Sequence, residues 1–325
     1  MKRYLMFISY LGGQFRSVQR EVNRTCPHLD PNSVQGVLEI FLQKFSPINE
    51  PRVVLCSRTD QGVHALKSAV HVDLEAPNGK DYDPKLMIYM LNRCFDKHKI
   101  ELRVQSCKIV PETFHARHSA KLRSYLYRLA VRRSDAPLLE GRGNKYLARI
   151  PYAEWKRCHF IQKTEFDVEK LRSAASLFPG VRDFRTFMGR SGGNPFNVCT
   201  VRDMHSLNIA PGQPLLATCY SPCNDDYCFW DITCSAKSFL YRQVRRIVGA
   251  LVAVAQGSLP IEDIQFMLDN PNGNNWNPKA VPVPACGLYL MNVEYDPADM
   301  LFPVASISAD DNLISVNSVL NPVIA

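Results

Sequence analysis

The sequence lacks the apolar run of about 20 residues that a membrane-spanning helix requires. It also shows no secretory signal. Its first strand-like segment, Arg3 to Tyr10, starts almost at Met1, which leaves no room for a removable transit peptide. An intracellular protein is the expectation. Eleven cysteines are present, but no C-x-x-C pair that could nucleate a zinc site. Cys199, Cys223, Cys228 and Cys234 therefore read as reduced, mostly buried thiols. His115 and His118 stand three apart without a third ligand pattern, and no metal is expected there. The H-x-E and P-C-x-x-C runs of a zinc deaminase are missing as well. Acid is absent between Glu112 and Asp135, a window that holds Arg117, Lys121, Arg123, Arg128, Arg132 and Arg133. It is absent again between Asp231 and Glu262, where Lys237, Arg242, Arg245 and Arg246 lie. In a chain of net charge +8, such windows fit an anionic partner such as RNA, held through its phosphates. They equally fit a merely basic, soluble surface.

What is present is a regular alternation of strand and helix patterns. A length of 325 residues suggests two domains with a substantial core. The apolar period predicts a strand over 3–10 and a helix over 33–46, with Val34, Leu38, Phe41, Leu42 and Phe45 on one face. Strands follow at 52–57 and 68–74, a helix from Pro84 to about Cys94, and a strand at 100–108. The second half reads as strand 123–132, helix 167–178, strands 199–209 and 228–235, helices 238–256 and 261–269, and strand 288–294. Residues 134–165 read as an irregular insertion and 180–198 as a flexible loop. Each half thus follows β-α-β-β-α-β, the order of a ferredoxin-like unit. The expected fold is α+β: two ferredoxin-like halves, 1–111 and 112–297, followed by a partly disordered tail at 298–325.

The most informative run is Ser57-Arg58-Thr59-Asp60-Gln61-Gly62-Val63-His64. It sets a carboxylate two residues from a guanidinium, then a glycine that can turn the chain sharply. An ionised aspartate on a rigid turn can act as nucleophile or base. Taken alone, the run also describes a structural turn whose aspartate caps the backbone and pairs with Arg58.

The run resembles the active-site motif R-T-D-A-G-V-H of the tRNA pseudouridine synthase A family. Further segments resemble that family in the same order. They are Phe114-His115-Ala116-Arg117-His118-Ser119-Ala120, Arg123-Ser124-Tyr125-Leu126-Tyr127, the run from Ser238 to Gly249 (F-x-x-x-x-V-R-x-I-V-G), and Gly287-Leu288-Tyr289-Leu290. The likeness covers about Tyr4 to Tyr295 and extends to the animal tRNA pseudouridine synthase-like branch. It implies an RNA pseudouridine synthase acting on tRNA, most often in the anticodon arm, with no cofactor. It also implies two halves that join their antiparallel sheets around a basic cleft, a homodimer, and a mitochondrial or cytoplasmic setting. It makes Asp60 the catalytic carboxylate, with Arg58 and Arg245 to hold it, and Tyr125 the active-site tyrosine. Leu288 would pack on the opposite face of the base. Substrate contacts would come from His64, His115, Arg117, Arg123, Arg242 and Arg246. Tyr127, at the same parity as Tyr125, could equally be the one that faces the core.

Two departures stand out. Gln61 replaces the usual alanine. The family's N-terminal Y-x-G-x-x-x-x-G-W-Q is reduced to Tyr10-Leu11-Gly12-Gly13-Gln14-Phe15-Arg16-Ser17-Val18-Gln19, without the tryptophan. The competing reading is a non-catalytic RNA-binding or ribosome-assembly protein that kept the fold.

Overall fold

The computed structural model describes residues 1–20, 30–77, 79–136, 150–190 and 198–302. Among them, ten strands form one sheet: β1 (Lys2–Tyr10), β2 (Val54–Leu55), β3 (His64–Leu74), β4 (Leu102–Val110), β5 (Ala120–Arg132), β6 (His159–Ile161), β7 (Gly180–Asp183), β8 (Val201–Pro211), β9 (Tyr227–Ala236) and β10 (Leu288–Tyr295). Five α-helices accompany it: α1 (Val34–Leu42), α2 (Pro84–Lys97), α3 (Val168–Ala175), α4 (Gln243–Ala255) and α5 (Ile261–Asp269). The expected α+β class holds.

The sheet order is β4-β1-β3-β10-β5-β9-β8-β7, with β2 on β3 and β6 on β5. The pairings are antiparallel except at two places. β6 runs parallel to β5. β10 runs parallel to β3 through only two pairs, Tyr289 opposite His64 and Leu290 opposite Ala65. That short seam sets the end of the Asp60 loop beside the start of β10.

Local chemistry fixes the helix ends. Ser33 Oγ accepts from the Gly36 N–H at the start of α1. Asp83 accepts from Lys85 N–H, and Pro84 opens α2 where no N–H is needed. Asp167 accepts from the amides of Glu169 and Lys170 at α3. The expected stripe on α4, Val244, Ile247, Val248 and Leu251, is buried, and Leu240 just ahead of the helix joins it. One continuous core runs from Tyr4 to Val293.

The structure corrects several boundaries. β3 starts at His64, four residues early. α2 continues to Lys97. Ser238–Arg242 are not helical: Arg242 is left-handed at φ 56°, and the Gln243 side chain accepts from Leu240 N–H ahead of the first turn. The supposedly irregular insertion contains β6, and Gly180–Asp183 form β7 rather than a loop. Residues 137–149, 191–197 and 303–325 of the expected insertion, loop and tail lie outside the described residues. Pro297–Met300 form a 3-10 turn. The ten described cysteines are all free, but only Cys56, Cys158 and Cys234 are buried, so "mostly buried" was too strong an expectation. No described helix is long and apolar enough to cross a membrane.

Candidate active site

The Asp60 loop is built by a tight turn. Val63 N–H donates to Asp60 O at 3.2 Å, and Gly62 sits at φ 81°. A backbone hydrogen bond across four residues with positive φ at the third is the geometry that demands glycine. Gln61, at the tip, is exposed.

Three struts hold this loop. Tyr10, buried at the end of β1, hydrogen-bonds Thr59 through its hydroxyl at 3.0 Å. Gly12 N–H donates to His64 Nδ1 at 3.0 Å; a Cβ on Gly12 would lie 2.0 Å from Val63 O. Arg123, buried on β5, donates from Nε to Ser57 Oγ at 2.9 Å and from Nη2 to the carbonyls of Cys56 and Arg117 at 2.8 and 2.9 Å. Its Nη1 reaches the Lys237 carbonyl. Four of its five N–H donors are thereby engaged inside the protein. The retained Tyr10 and Gly12 of the degraded N-terminal pattern thus support the Asp60 loop. Val18, where the tryptophan is missing, is buried.

Asp60 takes its cations from α4 and the residue that precedes it. Arg245 Nη1 lies 2.9 Å from Asp60 Oδ2, with the two side chains 15% and 18% exposed. Arg242 Nε lies 3.7 Å from the same oxygen. Arg245 is itself fixed, because its Nε donates to Val283 O at 2.8 Å. Arg58, expected to hold Asp60, is exposed and makes no hydrogen bond or ion pair among the described residues. Of the two arginines expected to hold Asp60, it is Arg245, 185 positions away, that reaches it.

These groups line an open cavity of about 470 Å³. Five arginines (Arg58, Arg117, Arg123, Arg242 and Arg245) face a single carboxylate, Asp60. Tyr125, Val63, Phe239 and Leu288 provide apolar wall. Phe239 meets Tyr125 edge-on, with centroids 5.1 Å apart. Burial pushes the Tyr125 phenol well above its ordinary pKa, so it stays protonated. Tyr127 is the core tyrosine: fully buried, it donates its hydroxyl to Pro284 O at 2.8 Å.

The other anticipated residues divide. His64 is buried off the cavity; Nδ1 accepts from Gly12, so Nε2 carries the proton toward Lys156 O at 3.1 Å, and the ring stacks on Tyr289. Burial lowers its pKa, keeping it neutral. His115 also lies off the cavity wall; its Nδ1 accepts the Arg117 and His118 amides at 3.1 and 3.3 Å and so shapes the turn that carries Arg117. Arg246 sits one turn beyond Arg242 over the Trp276 ring, outside the lining. Among the described residues, no three His, Cys, Asp or Glu side chains are placed to hold a metal ion. Sequence reasoning missed Thr59, Val63 and Phe239, although all three lay in quoted motifs, the first two in the Asp60 run and Phe239 at the head of F-x-x-x-x-V-R-x-I-V-G.

Comparison with known proteins gives the same direction. A family model described as tRNA pseudouridine synthase matches residues 174–296. The chain is 33% identical over 301 residues to tRNA pseudouridine synthase-like 1 of Xenopus laevis, covering 92% of this chain and 93% of that protein. It is 33% identical over 304 residues to the human protein of that name, covering 90% of each. It is 31% identical over 295 residues to tRNA pseudouridine synthase A of Caulobacter vibrioides, covering 91% of this chain and 99% of that one. Likeness of this extent, on a chain whose motif aspartate is set by Arg245 in an arginine-lined cavity, means that the protein belongs to the tRNA pseudouridine synthase family.

Proposed function

We propose that this chain isomerises uridine to pseudouridine in tRNA, with Asp60 as the catalytic carboxylate. The observation that carries the reading is the Asp60–Arg245 pair at 2.9 Å, opening into a cavity walled by Tyr125 and Leu288. The reaction breaks the bond from uracil N1 to ribose C1′, turns the base and joins C5 to C1′. The proton leaves C5 and N1 gains one, so no redox partner or energy source is needed. Asp60 attacks the nucleoside or removes a ribose proton. Arg245 and Arg242 orient the carboxylate and favour its anionic form. Tyr125 stacks on the extruded base, an interaction of about 1–3 kcal/mol, and Leu288 closes the other side. Arg58 and Arg117, exposed on the cavity wall, hold RNA phosphates. Arg123, His64 and His115 act through the backbone they position.

Residues 1–111 and 112–297 form the two ferredoxin-like halves. The supporting pattern is the order β4-β1-β3 with β2 beside β3, repeated as β10-β5-β9-β8. The halves meet at the β3–β10 seam, and the arginine-lined cavity lies where they join. The anticodon arm of tRNA is the expected target, a homodimer the expected assembly, and the mitochondrion or cytoplasm the expected setting.

The test is tritium release. Purified protein is given tRNA transcripts carrying tritium at uridine C5, where isomerisation frees the label. Wild-type protein should release it, and Asp60→Asn should not while still binding RNA. Normal turnover by Asp60→Asn would remove Asp60 from the mechanism.

A further inference from the structure

Arg246 presents an unusual electrostatic situation. It lies in the first turn of α4, and its N–H donates to the carbonyl of Arg242, the left-handed residue that precedes the helix, at 3.0 Å. Its guanidinium carbon is 3.8 Å from the centre of the Trp276 ring. Trp276 is in turn backed edge-on by Phe187, with centroids 5.8 Å apart, so the ring has a fixed seat. Yet the Arg246 guanidinium has no hydrogen-bond acceptor and no carboxylate partner among the described residues, and its Nε is buried without one. A half-buried cation held in that way is costly unless an anion arrives.

A second arginine converges on the same place. Gly189 N–H donates to Tyr241 O at 2.8 Å, which ties the backbone next to Arg190 to the residue before Arg242. Arg190 is exposed and unpaired among the described residues. Burial and the neighbouring charge of Arg190 together pull Arg246 down to about 10. Arg242 completes the group at the cavity rim, with the shared Asp60 as its only carboxylate among the described residues. Of these three cations only Arg242 reaches a carboxylate among the described residues, the Asp60 already paired to Arg245, so the rim is net positive. The family likeness implied a substrate contact for Arg242 and Arg246 but not which part of the RNA they meet, and it gave Arg190 and Trp276 no role.

We infer that Arg190, Arg242 and Arg246, with Trp276 as backing plate, form a phosphate-binding site at the cavity rim that takes a backbone phosphodiester next to the uridine held at Asp60. The inference rests on the RNA reading of the cavity. Guanidinium groups suit a phosphodiester because they offer paired N–H donors in a plane. The indole face keeps the Arg246 fork oriented before RNA arrives, so less side-chain freedom is lost on binding.

The experiment is equilibrium binding of unfractionated tRNA to the full chain between 50 and 200 mM KCl. Arg190→Gln and Arg246→Gln should each flatten the plot of log affinity against log salt by about 0.7–0.9, the value of one phosphate contact. Over that salt range the wild-type affinity should therefore fall roughly three-fold more than that of either variant. Arg246→Lys should keep the slope. Arg133→Gln, an exposed arginine at the far end of β5 paired with Asp135, should match wild type. A salt-dependent wild type with unchanged slopes in both glutamine variants overturns the site and leaves the RNA reading intact. A wild type that does not bind tRNA overturns the RNA reading and the site with it. Should Arg246→Gln fail to fold, exposed Arg190→Gln carries the same test.

Discussion

Arg123 is the sharpest test of how the loop is held. It was a candidate phosphate contact by sequence, but its side chain is buried and four of its donors serve Ser57, Cys56, Arg117 and Lys237. Arg123→Gln removes the charge and leaves three carbonyls without their donors. An orphaned buried acceptor costs about 1–3 kcal/mol. The losses overlap, because the bonds act as one unit, so the total should resemble the rupture of a buried charged pair, about 3–5 kcal/mol. The freed Cys56–Ser57 backbone carries Asp60 with it, and a displacement near 1 Å costs on the order of 100-fold in turnover. Urea unfolding should give the stability loss. Tritium release should give a fall in kcat with little change in KM, and the salt slope of tRNA binding should stay at the wild-type value. The opposite pattern, unchanged stability with a slope flattened by about 0.7–0.9, would make Arg123 a phosphate ligand and refute the reasoning.

Other outcomes follow from the same struts. Gly12→Ala would bring a Cβ to 2.0 Å from Val63 O; relieving that contact needs a shift of about 1 Å, so turnover should fall on the order of 100-fold while tRNA binding persists. Equal kinetics for Gly12→Ala would mean the loop is not positioned from β1. His71 and His159 are pushed down to about 4 by burial, against about 6.5 when unfolded. The unfolded chain therefore binds more protons in that window. Stability should be fully present above pH 6.5 and decline as pH falls toward 4, by about 3 kcal/mol for each histidine. Urea unfolding at intervals from pH 8 to 4 measures it, and equal stability at pH 7 and 4.5 would contradict the burial of these rings.

The elements that were legible in the sequence are those whose periodicity is long. β1, β5, β9 and β10 and helices α2 and α5 fall close to their expected spans because their apolar positions recur over eight or more residues. β6 and β7 escaped notice because three or four residues carry too little period; each exists by pairing with a longer strand, β5 and β8 respectively. The false start of α4 at Ser238 has a different origin. Phe239, Leu240 and Tyr241 extend the apolar pattern ahead of the helix, but the left-handed Arg242 interrupts the helical backbone and the Gln243 side chain bonds the Leu240 N–H before the first turn. Asp60 and Arg245 were each legible from a motif, but proximity did not reveal their pairing: Arg58, two residues away, has no partner among the described residues, while Arg245 is brought in by the packing of α4. His64 and Arg123 illustrate the remaining limit. A sequence shows that a residue can donate or accept, but burial decides whether its donors face the ligand or the protein's own backbone.

Whether Asp60 drives isomerisation of uridine is read out by pseudouridine mapping of total and mitochondrial RNA. The cells to compare lack the chain, express it intact, or express Asp60→Ala. The account predicts the same tRNA sites lost in the deleted and Asp60→Ala cells and present with the intact chain. Sites fully modified with Asp60→Ala, or no site lost on deletion while the purified protein still binds RNA, would contradict it and favour an RNA-binding role for the fold.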